Sequence, residues 1–417
     1  MKDMLGRGNA VDVQTSLNLL MENLPHKLPE EKIVNTEDSL GMICSRNVVS
    51  SEDLPAFIRS TVDGYAFKAE DTYGATEALP AYLNLAGEIF MAESPVSHLP
   101  EHGAIKIPTG GMLPQGADAV VMFENVQPVD EKMIEVLRPV APGDNVIQSG
   151  EDVGKGEIVI EKGRRLRPQD IGACMGIGET KIWVYDRPTV SIISTGDEIV
   201  PAESSPEMGR VRDINSYVLS AMVSDSGCIP YRKGIFRDNY ETIRGIIENS
   251  MADSDAIVIS GGTSVGTKDM VARIINDIGS PGVLFHGISL KPGKPMIGGV
   301  IKGIPVFGLP GHPAAVSVCF DIFILPVLNI LSGLKERFPK YSRRIIKAKL
   351  SKNISSTSGR EEHIRVMLEE RDDGIWAIPV LGKSGLITTL VKADGTIVIP
   401  LNVNGVEKGE TVDVRLF

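Results

Sequence analysis

Apolar residues recur at helical spacing at Val13, Leu17, Leu20, Met21 and Leu24, and Pro25 stops the run. This predicts an amphipathic helix that packs on a core or on a second subunit. From Leu54 to about Val140 the period shortens, and the runs 82–89, 104–107, 119–125 and 133–137 alternate between Gly and Pro turns. They predict a small β-rich unit. A helical stretch over 167–177 follows, so the β-rich unit reads as an insertion between two flanks of one helical region. Strand and helix then alternate, with strands at 190–194, 231–236, 256–260 and 304–309 and helices at 215–226, 240–251, 268–278 and 313–331. Repeated βαβ units imply a mainly parallel, doubly wound sheet whose ligands sit at the carboxyl ends of its strands. Strand alternation returns at 345–350, 363–368, 376–380, 396–399 and 411–416, which predicts a separate small barrel or sandwich.

Composition narrows the function. The 417 residues hold 43 Lys+Arg against 54 Asp+Glu, a formal charge of −11, with 42% hydrophobic residues. This is a soluble, multidomain composition without the basic footprint that nucleic-acid binding needs. No uninterrupted run of about 18 apolar residues occurs and residues 1–13 lack a signal-like apolar stretch, so the expected compartment is the cytoplasm, with no membrane contact. Cys44, Cys174, Cys228 and Cys319 are far apart and form no CxxC pair, which predicts buried, reduced thiols. His98 and His102 have a helical metal spacing, but Pro100 between them points to a surface loop.

The chemistry gathers in loops of the middle third. Asp197 and Glu198, just past the 190–194 strand, suit a hard cation such as Mg²⁺ or a helix cap. The stretch 260–266, with Gly261, Gly262, Ser264 and Gly266, reads either as an anion cradle at a helix start or as a tight turn. Its Thr267-Lys268 order reverses that of a P-loop, and Asp269 follows where a cation beside phosphates would need an acid. Lys291-Pro292-Gly293-Lys294-Pro295 holds two cations on a stiff loop, suited to a small oxyanion or a phosphate. The turn 308–313, with Pro310 and His312, is architectural or offers N–H groups to the same ligand. Asp63 in a glycine turn and Asp238 at a strand end are weaker signals, and no Ser-His-Asp order, HExxH or GxSxG motif is present.

Together these motifs are specific. SerThrValAspGlyTyrAla (60–66), ProThrGlyGly (108–111), GlyGluAsp (150–152), SerThrGlyAspGlu (194–198), SerGlyGlyThrSerValGly (260–266), LysProGlyLysPro (291–295) and GlyLeuProGlyHisPro (308–313) closely resemble, in order and spacing, the MoeA family of molybdopterin molybdenumtransferases, which includes the gephyrin E domain. The resemblance implies a multidomain α/β plus β fold. Its parts are a discontinuous helical segment (1–53 and 146–182), an inserted β domain (54–145), a MogA-like three-layer α/β domain (183–335) and a C-terminal β-barrel (340–417).

It also implies a homodimer and a reaction in which adenylylated molybdopterin and molybdate, with Mg²⁺, give molybdenum cofactor and AMP. A MogA-type adenylyltransferase is the implied supplier of the first substrate. Carried over by position, Asp63, Asp152, Glu198 and Asp238 are catalytic acids, and Glu198 and Asp269 hold Mg²⁺. Thr109, Gly261, Gly262, Ser264, Gly266, Lys291, Lys294, Pro295, Pro310, Arg360 and Ser384 bind substrate. The chain departs from the family at His312, where many members have Asn, and at Gly287, where some have Lys; a preference for tungstate is one expectation from this. A CinA-like nucleotide enzyme and a gephyrin-like scaffold are the other readings.

Overall fold

A computed structural model describes residues 10–25, 27–94, 98–261, 265–335, 344–357 and 359–417. Asp12 caps the first helix, Val13–Asn23, by accepting from the Thr15 N–H at 2.8 Å. The apolar stripe of this helix enters the α/β core, where Leu20 and Leu24 are buried. It is therefore a packing helix, lying on the strands Pro281–His286 and Ile297–Ile301.

The middle sheet has six strands in the order Ile229–Phe236, Thr189–Thr195, Ala256–Gly261, Ile304–Leu309, Ile297–Ile301, Pro281–His286. The first four are parallel, and the last two form an antiparallel edge. Alternation along one strand shows the layering. Val258 faces the core made with helices Asn215–Asp225 and Pro313–Cys319, while Ile257 and Ile259 face the core made with Tyr240–Ser250 and Val265–Ile278.

The apolar stretch Pro313–Leu331 has a mean hydropathy of 2.2 and is the one helix among the described residues long and apolar enough to cross a membrane. Its Val316, Phe320, Phe323 and Val327 fill the α/β core. A π turn at Phe320–Ile324 precedes Pro326, which lacks the N–H that a regular helix would send to Ile322.

The C-terminal sheet closes. Glu361–Arg371, Gly374–Pro379, Ile345–Leu350, Thr411–Leu416 and Gly395–Ile399 pair in turn, and the last returns to the first around a core of Leu350, Val366, Ile397 and Val414. Leu290–Lys291, which belongs to the α/β part of the chain, joins this sheet in parallel with Glu361 and Glu362. The inserted part forms its own six-stranded sheet with its own cores. The flanks that carry the helix Pro168–Gly176 also contain strands, Glu31–Asn35 pairing with Lys181–Tyr185 and Val48–Val49 with Ile158–Ile160.

Candidate functional site

Strand register decides which loops meet. Thr195 lies opposite both Phe236 and Gly261, Ser260 opposite Leu309, and Gly308 opposite Ile297. The strands that end at 195, 236, 261 and 309, and the one that begins at 297, therefore share one edge, at the carboxyl ends of the parallel strands. Gly261 is required there: its φ is +137° and a Cβ would stand 1.7 Å from the Thr195 carbonyl oxygen. Glu198 folds back over Gly196, whose φ is +144° and whose added Cβ would lie 2.8 Å from Glu198 Oε2.

A buried network beneath this edge escaped the sequence reading. The Ser194 hydroxyl donates to Asp213 Oδ2 at 2.7 Å and the Ser216 N–H to Asp213 Oδ1 at 3.1 Å. The Asn215 amide donates to Ser260 Oγ and to the Gly311 carbonyl, both at 2.9 Å, tying two of the loops together. The available signal was the polar run Asp213, Asn215, Ser216 at the start of an otherwise apolar helix.

Two cavities open at this edge. The first, of about 800 Å³, is lined by Asp197, Arg210, Asp213, Tyr217, Arg232 and Arg237, with the Arg232 guanidinium 4.0 Å over the Tyr217 ring. The second, of about 560 Å³, lies between the α/β unit and the barrel. Its α/β wall holds Lys291, Lys294, Pro295, Pro310 and His312, and its barrel wall Arg360, Arg365, Lys383 and Ser384. Six of the residues assigned to substrate binding thus meet in one space, Lys291, Lys294, Pro295, Pro310, Arg360 and Ser384, together with His312.

Hydrogen bonds fix the second cavity's shape. Ser384 Oγ is 2.9 Å from His312 Nδ1, and the Ala314 N–H donates to the Ser384 carbonyl at 3.2 Å, so one side chain and one backbone bond join the two walls. Arg365 is 7% exposed and donates to the Gly382 carbonyl at 3.1 Å, and burial lowers its pKa because its charge is desolvated. The cavity concentrates cationic donors in a partly desolvated space, which suits a small, multiply charged oxyanion. Gly287 has φ +91°, a conformation in which a lysine would be strained.

The remaining residues are placed differently. Asp63 accepts from the Thr109 N–H at 2.7 Å and the Thr109 hydroxyl at 3.0 Å. These bonds, the backbone one first, hold its carboxyl below the usual value. Both sit in the inserted unit; neither they nor Asp152, whose N–H donates to the Leu54 carbonyl at 3.1 Å, line either cavity. Asp238 stands two residues past the strand ending at Phe236, and Asp269 in the helix Val265–Ile278. Gly262 and Ser264 lie outside the described residues, and Gly266 is in the first turn of that helix, which begins three residues earlier than expected.

Among the described residues no group of three or more His, Cys, Asp or Glu gathers as a metal cluster. Glu198 and Asp269 are hard oxygen donors on segments following paired strands. Each is a carboxylate of the kind that Mg²⁺ takes one or two at a time, with water and phosphate oxygens filling its shell.

Comparison with known proteins agrees along the chain. It matches the family models for the MoeA N-terminal region (domain I and II) over residues 11–178, the "probable molybdopterin binding domain" over 191–330 and the MoeA C-terminal region (domain IV) over 347–417. The molybdopterin molybdenumtransferase of Bacillus subtilis is 30% identical over 94% of this chain and 91% of its own. That of Staphylococcus epidermidis is 30% identical over 92% and 90%. The crystal structure of a molybdopterin biosynthesis MoeA protein from Pyrococcus horikoshii superposes with a TM-score of 0.85 at 31% identity, covering 98% of this chain and 100% of that one.

Proposed function

Because the chain belongs to the MoeA family, transferases of molybdenum cofactor biosynthesis, we propose that it inserts molybdate into adenylylated molybdopterin with release of AMP. The observation that carries this reading is the second cavity, where Lys291 and Lys294 of the α/β unit face Arg360 and Ser384 of the barrel. A tetrahedral dianion needs donors from several directions, and this space between two units supplies them on both sides.

In this reading Lys294 and Arg360 hold the oxyanion, and the Ser384 hydroxyl, oriented by His312, fixes one of its oxygens. The nucleotide-linked pterin runs along the strand ends towards the first cavity, whose Arg210, Arg232 and Arg237 meet phosphate charge and whose Tyr217 offers a face for stacking. Glu198 and Asp269 would hold Mg²⁺, whose charge at the phosphoanhydride favours departure of AMP. Held this way, both anions lie side by side in a pre-organised field, and positioning supplies most of the rate.

Asp63 and Thr109 belong to a unit with its own cores, and we assign them to the cleft of a second copy. Sedimentation should give a mass near twice 44.9 kDa. Mixing Asp63→Asn with Lys294→Ala protein should recover activity that each lacks alone, because one intact cleft forms; no recovery sinks the shared cleft. The four cysteines are all free and buried, in keeping with a reducing cytoplasm, where a MogA-type adenylyltransferase would supply the substrate.

The test is AMP release from adenylylated molybdopterin with Mg²⁺, titrated separately with molybdate and tungstate. Release that depends on an oxyanion supports the reading, and the stronger of the two dependences identifies the metal. Release indifferent to both would make the protein a nucleotide hydrolase instead.

A further inference from the structure

The second cavity of this cationic site contains one acid pointed at its own lysine. Lys291 Nζ is 2.7 Å from Glu362 Oε1, and the other carboxylate oxygen, Oε2, accepts from the Ser356 hydroxyl at 2.9 Å. The Glu362 side chain is 12% exposed and the Lys291 side chain 53%. The pair is fixed by backbone as well, since Lys291 is the register partner of Glu362 and the Glu361 N–H donates to the Ser289 carbonyl at 2.9 Å. On the same barrel wall, Arg360 Nε and Arg365 Nε are buried with no hydrogen-bond partner among the described residues. Both arginines line the cavity, and a guanidinium with a buried, unmatched donor is under-compensated, so an anion arriving beside it supplies the missing opposite charge.

We propose that Glu362 is a place-holder carboxylate and a specificity-determining residue: it occupies Lys291 while the cavity is empty, and the oxyanion must displace it. The inference rests on the oxyanion reading of this cavity. Its physical basis is competition. An entering anion gains the two arginines directly, but gains Lys291 only by breaking an existing ion pair, with Glu362 left close to the incoming charge. A monoanion that satisfies the arginines has little charge left to draw Lys291 away. A tetrahedral dianion has oxygens and charge for both walls. Glu362 thus lowers affinity for every anion, sets a threshold in favour of doubly charged ones, and keeps Lys291 aligned until one arrives.

The experiment is calorimetric titration of the full-length protein with molybdate at low ionic strength. Native protein is compared with Glu362→Gln, Lys291→Met and the double variant. Glu362→Gln should bind molybdate about tenfold more tightly, corresponding to about 1.4 kcal/mol. Most of that gain should vanish in the Lys291→Met background, because there is no longer a lysine to release. Glu362→Ala, which removes the same charge without adding an amide, should shift the Kd the same way and serves where the glutamine variant folds poorly. An affinity that is unchanged or weaker in Glu362→Gln overturns the place-holder role, as does a gain that persists undiminished without Lys291. A native protein that binds no oxyanion overturns the functional reading, and this inference with it.

Discussion

At the scale of single residues, the site depends on positions where one atom decides the outcome. Gly261→Ala would drive a methyl group into the Thr195 carbonyl and impose an unfavourable φ. We expect a loss of about 1–3 kcal/mol or more in urea unfolding, with AMP release falling further because the loop is displaced. The Asp63 carboxyl, held low by Thr109, is ionised at neutral pH; the stabilisation this gives its turn is present above the ordinary carboxylate pKa and is lost as pH falls through the lowered one. Thr109→Val should move the Asp63 titration upward in carboxyl NMR. Any loss of activity at pH 7 then reports the position of the acid or the missing Thr109 hydroxyl, since the charge of Asp63 is unchanged. Burial pushes the Cys174 thiol up to about 11 and raises those of Cys44, Cys228 and Cys319 as well, so a thiol reagent should label all four only after denaturation. The lysines were legible because two cations stand together on a stiff, glycine-bearing turn, whereas Arg360 and Ser384 were reached only through the family resemblance. Glu362 and Arg365 were not, because in a strand the side that faces a cavity is known only once register is known.

At the scale of elements, three of the four parallel strands were readable as short apolar runs between helical periods, and the fourth, Ile229–Phe236 with its Arg232 and Lys233, only from its place in the strand–helix alternation. The antiparallel edge was missed for a packing reason. Gly298 and Gly299 interrupt the apolar alternation of Ile297–Ile301, yet they are what the packing admits: a Cβ on Gly298 would lie 2.3 Å from the Phe285 ring, and one on Gly299 2.7 Å from the Gly282 carbonyl. The short strands Glu31–Asn35 and Lys181–Tyr185 are 146 or more residues apart in the chain, and no local pattern announces such a pairing. The first helix was legible as amphipathic, but not the surface it covers. Because its Leu20 is fully buried in the α/β core, Leu20→Ala should cost about 2–5 kcal/mol in chemical denaturation. Asp12→Ala should cost about 1 kcal/mol through the lost cap.

At the scale of the whole molecule, the units carry separate cores, and the chemistry lies where they meet. The walls of the second cavity come from segments about 70 residues apart, Lys291 and Arg360 among them, and only motif order over the whole chain signalled that they converge. The strand Leu290–Lys291, paired to the barrel through Glu361 and Glu362, makes that convergence mechanical. Because the same few residues are both wall and fastening, an anion that fills the cavity also clamps the two units, and its binding energy adds to the strength of the joint. At a hundred times its Kd, such a ligand adds about 2.7 kcal/mol to the bound form. Amide hydrogen exchange would then register cofactor chemistry as a mechanical event: the Glu361 N–H, a main-chain link from the barrel to the Ser289 carbonyl of the α/β unit, should become one of the slowest in the barrel when molybdate is present.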